Sequence, residues 1–148
     1  MDWIAWDETL DTGHARMDAE HQELAQLFDR LHDAVEKGEC KAACAKVLDR
    51  IIDHAKTHFE LEQRLMTQHQ YPKLEQHAAD HAMLIRQALD YRQGFDVDTA
   101  AVRSTLMKVP EVSLAYHILF SDKELAAFLA RPRPSRQTLE FPHGRRQS

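Results

Sequence analysis

Cysteine is nearly absent: Cys40 and Cys44 are the whole supply in 148 residues, too few for a disulfide framework. Both are expected to be reduced thiols. The opening MDWIAWDETL has neither a basic leader nor a long apolar run, so the simplest expectation is a cytoplasmic protein. Nowhere does the sequence approach the roughly 18 consecutive apolar residues of a membrane span, which argues against a membrane partner. Glycine and proline are also scarce, at four and five copies. Strand-like alternation and internal repeats are missing as well, which leaves an all-helical chain as the expected class. Finally, the body lacks an excess of basic charge. The net charge is −5, and residues 131–148 hold five arginines against Glu140, so the remainder is more acidic still. An acidic body argues against nucleic acid as a partner.

The few glycines and prolines mostly fall where breaks are plausible: Gly13, Gly38, Pro72, Gly94, Pro132 and Pro134. Between them run four segments of helical period. The first is expected to open at Asp18 as N-cap and repeats His21, Leu24, Phe28, Leu31, Val35. The second, about Lys41 to Gln68, repeats Cys44, Val47, Ile51, His54 with Ala55, His58, Glu62, Leu65. The third, Pro72 to Gln93, repeats Leu74, His77, His81, Leu84, Ala88. The fourth begins near Asp98 and repeats Val102, Leu106, Val109, Ser113, His117, Phe120, Glu124, Phe128, with a kink expected at Pro110. Short connections between helices this long predict an up-down-up-down antiparallel four-helix bundle over residues 1–130. An N-terminal arm, with Trp3 and Trp6 packed across the bundle, is expected before it. Residues 131–148, rich in Pro and Arg and without periodicity, are expected to form an irregular tail.

Ten histidines are the surplus. Singly, a histidine on an apolar face is an ordinary boundary residue. Together they form a pattern: HFELE puts His58 and Glu62 one helical turn apart, and HAADH does the same for His77 and His81. Two such pairs on helices sharing one core have the spacing from which metal sites in bundles are built. His21 and His117 add an imidazole from each remaining helix. Without a cation, the core would bury several imidazoles and a carboxylate with few partners, at a cost of several kcal/mol for an unpaired charge. Imidazole with carboxylate suits Fe, Zn or Mn, and so many donors exceed the needs of one ion. Ferritin-type di-iron bundles use Glu-x-x-His pairs, whereas here the only such pair is Glu140 and His143, in the tail.

The stretches MDAEH, HFELEQRLM, YPKLEQHAADH and HILFSD together resemble the hemerythrins, specifically the single-domain bacterial ones, over residues 3 to about 129. The resemblance implies two iron ions with a bridging oxo or hydroxo group. His77, His81 and His117 would bind one iron, His21 and His58 the other, and Glu62 and Asp122 would bridge both. The three-histidine iron would then have six ligands and the other five, leaving a position where O2 binds end-on as hydroperoxide. Leu24, Phe59, Leu114 and Ile118 match positions lining the family's oxygen pocket. Ser113 departs from the usual tryptophan, so a more open or wetter pocket and faster autoxidation are expected.

The implied function is reversible O2 binding, for carriage, storage or sensing. The alternatives are a di-iron enzyme acting on peroxide, nitric oxide or Fe(II), or a redox-sensing module; the sequence names no electron donor or effector domain. His54 stands where a tyrosine is usual and serves either as a supporting hydrogen bond or as a boundary residue. His14, His32 and His69 are expected to be solvated. Gln63, beside Glu62, replaces a frequent Glu without consequence for the ligands. One spacing resists a regular helix: His117 and Asp122, five residues apart, would point about 140° from each other. A local π-type widening over 117–122 is therefore expected.

Overall fold

The computed structural model describes residues 7–97 and 109–132. The first helix, α1, spans Ala15–Glu36, α2 spans Lys41–Gln68 and α3 spans Leu74–Val97. The fourth rod, α4, has three consecutive pieces: an α-helix Val109–Tyr116, a π-helical turn His117–Asp122 and an α-helix Lys123–Leu129. No strand occurs among the described residues. Helix α1 packs on α2, α2 on α3, and α3 on the first piece of α4, giving the expected helical bundle. The expected helix start at Asp98, the residues before Pro110 where a kink was expected, Trp3, Trp6 and residues 133–148 lie outside the described residues.

Local chemistry explains the helix ends. The His14 side chain, half-buried rather than solvated, is the N-cap of α1, its Nδ1 accepting from the Met17 N–H at 3.3 Å. Asp18 is not the cap expected from the sequence. It lies one turn inside, and its carboxylate turns back to accept from the Thr12 N–H at 2.8 Å, the Thr12 hydroxyl at 2.7 Å and the Gly13 N–H at 3.2 Å. A carboxylate in the first turn also complements the helix dipole. At the other end Gly38, at φ +67, lets the Glu39 N–H return to the Ala34 carbonyl and its own N–H to that of Val35. This is a Schellman closure. Helix α2 ends in the same way without a glycine: Gln70 takes φ 52, Tyr71 N–H bonds Met66 O, and both Tyr71 and Met66 are buried in one cluster. Gly94, expected as a break, is instead inside α3. The local cost of about 1 kcal/mol for a helical glycine is outweighed by neighbours such as Phe95, buried in the main core.

The core has two apolar clusters. The larger includes Leu24, Leu31, Val47, Ile51, Phe95, Leu114 and Ile118; the smaller includes Met17, Met66, Tyr71 and Leu125. The π turn sets where α4 faces them. In that turn hydrogen bonds run between residues five apart, as from the Lys123 N–H to the Ile118 carbonyl. The extra residue shifts the buried face by one position, so Asp122 and Leu125 are buried. Phe120 and Glu124, expected on the core stripe, are exposed. His32, expected to be solvated, is buried in α1, with Nε2 3.5 Å from Glu36 Oε1.

Candidate metal centre

All seven ligand candidates, His21, His58, Glu62, His77, His81, His117 and Asp122, are buried and converge in one layer of the bundle. Helix α1 supplies His21. The i, i+4 spacings in α2 and α3 stack His58 with Glu62 and His77 with His81 on inward faces. The π turn supplies the last two. Because residues five apart lie one above the other there, His117 Nε2 comes within 3.0 Å of Asp122 Oδ1.

The distances split the donors into two overlapping groups, one of Glu62, His77, His81, His117 and Asp122, the other of His21, His58, Glu62 and Asp122. Each carboxylate divides its oxygens between them. Glu62 Oε1 is 2.7 Å from His58 Nε2 and 3.8 Å from His21 Nε2, while Oε2 is 3.0 Å from His77 Nε2 and 2.8 Å from His81 Nε2. Asp122 Oδ2 is 3.0 Å from His21 Nε2, while Oδ1 is 3.1 Å from His77 Nε2. Every imidazole presents Nε2. The His21 and His58 Nε2 atoms are only 2.9 Å apart.

Many of these contacts are close without being hydrogen bonds. Glu62 Oε1, both Asp122 oxygens, His81 Nε2 and His117 Nε2 are buried with no hydrogen-bond partner. Buried polar atoms are ordinarily paired. Here the lone pairs are offered between the side chains, which is how ligands present themselves to a shared cation. Imidazole and carboxylate are the donor types that first-row transition metals take, so the residues fit a metal site.

Protons can partly substitute for a cation. Burial pulls the imidazoles of His21 and His77 down, but the carboxylates of Asp122 and Glu62 facing them outweigh it and raise both to about 9. Burial pushes the Glu62 carboxyl up, yet the surrounding His21, His58, His77 and His81 pull it well below the carboxylate range. His81 goes the other way, because burial dominates and lowers it.

Two supporting contacts escape any spacing rule. His58 Nδ1 lies 2.7 Å from Glu20 Oε2. An N–H donated there fixes the tautomer that leaves the Nε2 lone pair facing the centre. His54 Nε2 lies 2.9 Å from the main-chain oxygen of Glu20, tying α2 to α1 beside His21, and it joins neither donor group. Glu20 stands next to His21 in the sequence, but His58 and His54 reach it from another helix, so no periodicity reveals these contacts.

Beside the layer is an apolar cavity of about 60 Å³. Of the expected pocket residues, Leu24, Phe59, Ser113 and Leu114 line it; Ile118 is buried in the adjoining core without reaching the cavity wall. Phe59 also stacks on His81, with ring centres 3.9 Å apart and planes 9° from parallel.

The family model described as "Hemerythrin HHE cation binding domain" matches residues 12–129. A bacteriohemerythrin of Pseudomonas aeruginosa is 32% identical over 95 residues, covering 64% of this chain and 61% of the relative. The chain thus spans about three fifths of the length of that relative. A bacteriohemerythrin of Ralstonia nicotianae is 30% identical over 135 residues, 90% of this chain and 94% of the relative. A myohemerythrin of Theromyzon tessulatum is 27% identical over 77 residues, 52% of this chain and 58% of the relative.

Proposed function

This chain belongs to the hemerythrin family, and from that premise we propose that it binds dioxygen reversibly at a non-heme di-iron centre. The role is binding, as carrier, store or sensor, rather than turnover. One observation carries the reading: Glu62 and Asp122 each direct one oxygen to the His21 and His58 side and the other to the His77, His81 and His117 side. That division suits two bridging carboxylates between two ions, with three imidazoles on one and two on the other.

Iron in both positions, with a bridging oxo or hydroxo group, would supply one electron per ion and a coordination position open to dioxygen. The remaining work belongs to the chain. The two carboxylates offset part of the ionic charge and the five neutral imidazoles supply lone pairs without adding charge, which makes a buried pair of cations tolerable. The Glu20 carboxylate holds the His58 ring in its ligating tautomer. Phe59 stacks on the His81 imidazole and shares an apolar cavity wall with Leu24 and Leu114, and such apolar surface keeps water and stray protons from the centre. Among the described residues no helix is long and apolar enough to cross a membrane.

Anaerobic loading with Fe(II), exposure to air and removal of oxygen, followed by visible absorption, tests the proposal. The expected result is two irons per chain and a coloured adduct that forms and fades reversibly. Failure to retain two irons would overturn the ligand assignment. Retention of both without a reversible adduct would overturn dioxygen binding and leave the ligand assignment standing. Multiple turnover of peroxide, nitric oxide or Fe(II) would point to an enzyme.

A further inference from the structure

The two donor groups of the centre are unequal in number and in support. One brings three imidazoles, His77, His81 and His117, to the shared carboxylates, and the other only His21 and His58. With fewer donors of its own, the second position gains more from whatever strengthens them. A ligating imidazole binds a cation more strongly when its far nitrogen donates to a carboxylate, which makes the ring more basic and fixes its orientation. His58 has such a support in Glu20, whose Oε2 is 2.7 Å from its Nδ1. In the three-imidazole group His81 is the contrary case: its Nδ1 is buried with no hydrogen-bond partner, and its ring stacks on Phe59.

Glu20 is itself held from two directions. Neighbouring residues of a helix point about 100° apart, so while His21 faces the centre, Glu20 on α1 faces α2. There His54 and His58, one turn apart, meet it at both ends: His54 Nε2 lies 2.9 Å from its main-chain oxygen and His58 Nδ1 meets its carboxylate. The side chain keeps 19% of its surface exposed, and Arg16 Nε stands 3.9 Å from the other carboxylate oxygen. Partial solvation and a nearby guanidinium lower the cost of a third ionised carboxylate beside the layer. One turn of α1 thus supplies the two-imidazole position with a ligand, His21, and with a support for its other ligand, His58.

We propose that Glu20 is the positioning residue that determines whether the His21 and His58 position holds its ion, and that the two positions fill in order, the three-imidazole one first. This deepens the proposed function and rests on its two-ion reading of the centre. Loss of the Glu20 carboxylate acts on one position only. Its effect passes through His58, whereas Glu62 and Asp122 serve both positions. Truncation therefore turns a two-ion centre into a one-ion centre, a result that general damage to the core does not give.

The test is anaerobic titration of the metal-free full-length chain with Co(II), a coloured divalent probe, and with Fe(II), followed by visible absorption and by metal analysis after gel filtration. The native chain should take up two ions in two steps. In Glu20→Ala the first step should be unchanged and the second about 10- to 100-fold weaker, so that metal analysis falls from two ions per chain toward one. The Co(II) spectrum of that one-ion form should match that of His21→Ala, which lacks a ligand of the same position. Glu20→Gln, whose amide oxygen still accepts from the Nδ1–H but without the charge, should fall between, and it carries the test should Glu20→Ala not fold. His54→Phe removes the neighbouring tie between the same two helices and should retain both ions. Native affinity for two ions in Glu20→Ala, or both steps weakened alike, overturns the proposal, as does uptake of both ions by the native chain in one step. A native chain that takes up fewer than two ions overturns it together with the two-ion reading. Loss of the second ion alone, from a chain that forms no oxygen adduct, supports the role of Glu20 and refutes dioxygen binding instead.

Discussion

Within one bundle, two neighbouring layers of the core are built on opposite terms. Around Leu31, Ala34, Val47, Leu48 and Phe95, aliphatic and aromatic side chains fill the interior and have no polar demand to meet. In the adjacent layer five imidazoles and two carboxylates crowd into the same kind of interior, and several of their atoms find no hydrogen-bond partner. The first layer gains stability from burial alone. The second is complete only with cations or protons among its donors, so stability and function are coupled there and nowhere in the first. The π turn is where polar and apolar terms meet, because it turns Asp122 inward beside His117 while keeping Leu125 in the smaller apolar cluster.

The sharpest break of this contrast is Glu62→Ala. Both donor groups share Glu62, so iron content after anaerobic loading should fall from two per chain to near zero, an affinity loss of more than about a hundredfold. Retention of both irons would show that the layer does not depend on its bridge. The complementary variant, Leu31→Ala, should cost about 2–5 kcal/mol in denaturant melts, as large-to-small core changes do, yet leave two irons per chain. Loss of iron together with stability would mean that the layers are not separable.

A third test uses pH on the chelated, metal-free chain. His21 and His77 are raised to about 9, so their contribution is complete below the ordinary value of 6.5 and is lost as pH rises through about 9. For Glu62 and Asp122, burial pushes upward, but the imidazoles lower both below their ordinary 4.5 and 3.8. Their contribution is present above those values and is lost on acidification. Thermal melts should therefore peak between about pH 4.5 and 6.5 and decline toward 9. A melting temperature that kept rising to pH 9 would contradict the arrangement. The smallest effect is expected for His54→Phe, which removes the tie to the Glu20 carbonyl. It should cost about 1 kcal/mol and leave iron stoichiometry unchanged, as measured by paired melts and metal analysis.

Legibility from the sequence varied with how local the cause was. Helix α2 runs from Lys41 to Gln68, where its periodicity placed it, because a 28-residue amphipathic pattern leaves little choice. The start of α1 was misplaced because Asp18 had donors nearer than its own helix, in Thr12 and Gly13. Gly94 and His32 were misread because tertiary burial overrode a weak local preference. Phe120 was misplaced by a single residue of π register, since a stripe counted at 3.6 residues per turn cannot anticipate where the count changes.

For the centre, His58 with Glu62 and His77 with His81 were legible because each pair repeats one helical turn on an apolar stripe; His21 and His117 stood singly on theirs, and Asp122, five residues from His117, was pointed out only by the hemerythrin resemblance. Their spacing alone determined that polar groups would meet in a helical core, and their types determined that metal was the natural way to satisfy them. Only the tertiary structure decided how each carboxylate divides its oxygens, that Glu20 reaches His58, and that Ser113 lines an apolar cavity beside the layer. The reason is that periodicity fixes directions around a single helix axis. Which atoms approach within hydrogen-bond distance depends on how separate axes pack, and no single helix carries that information.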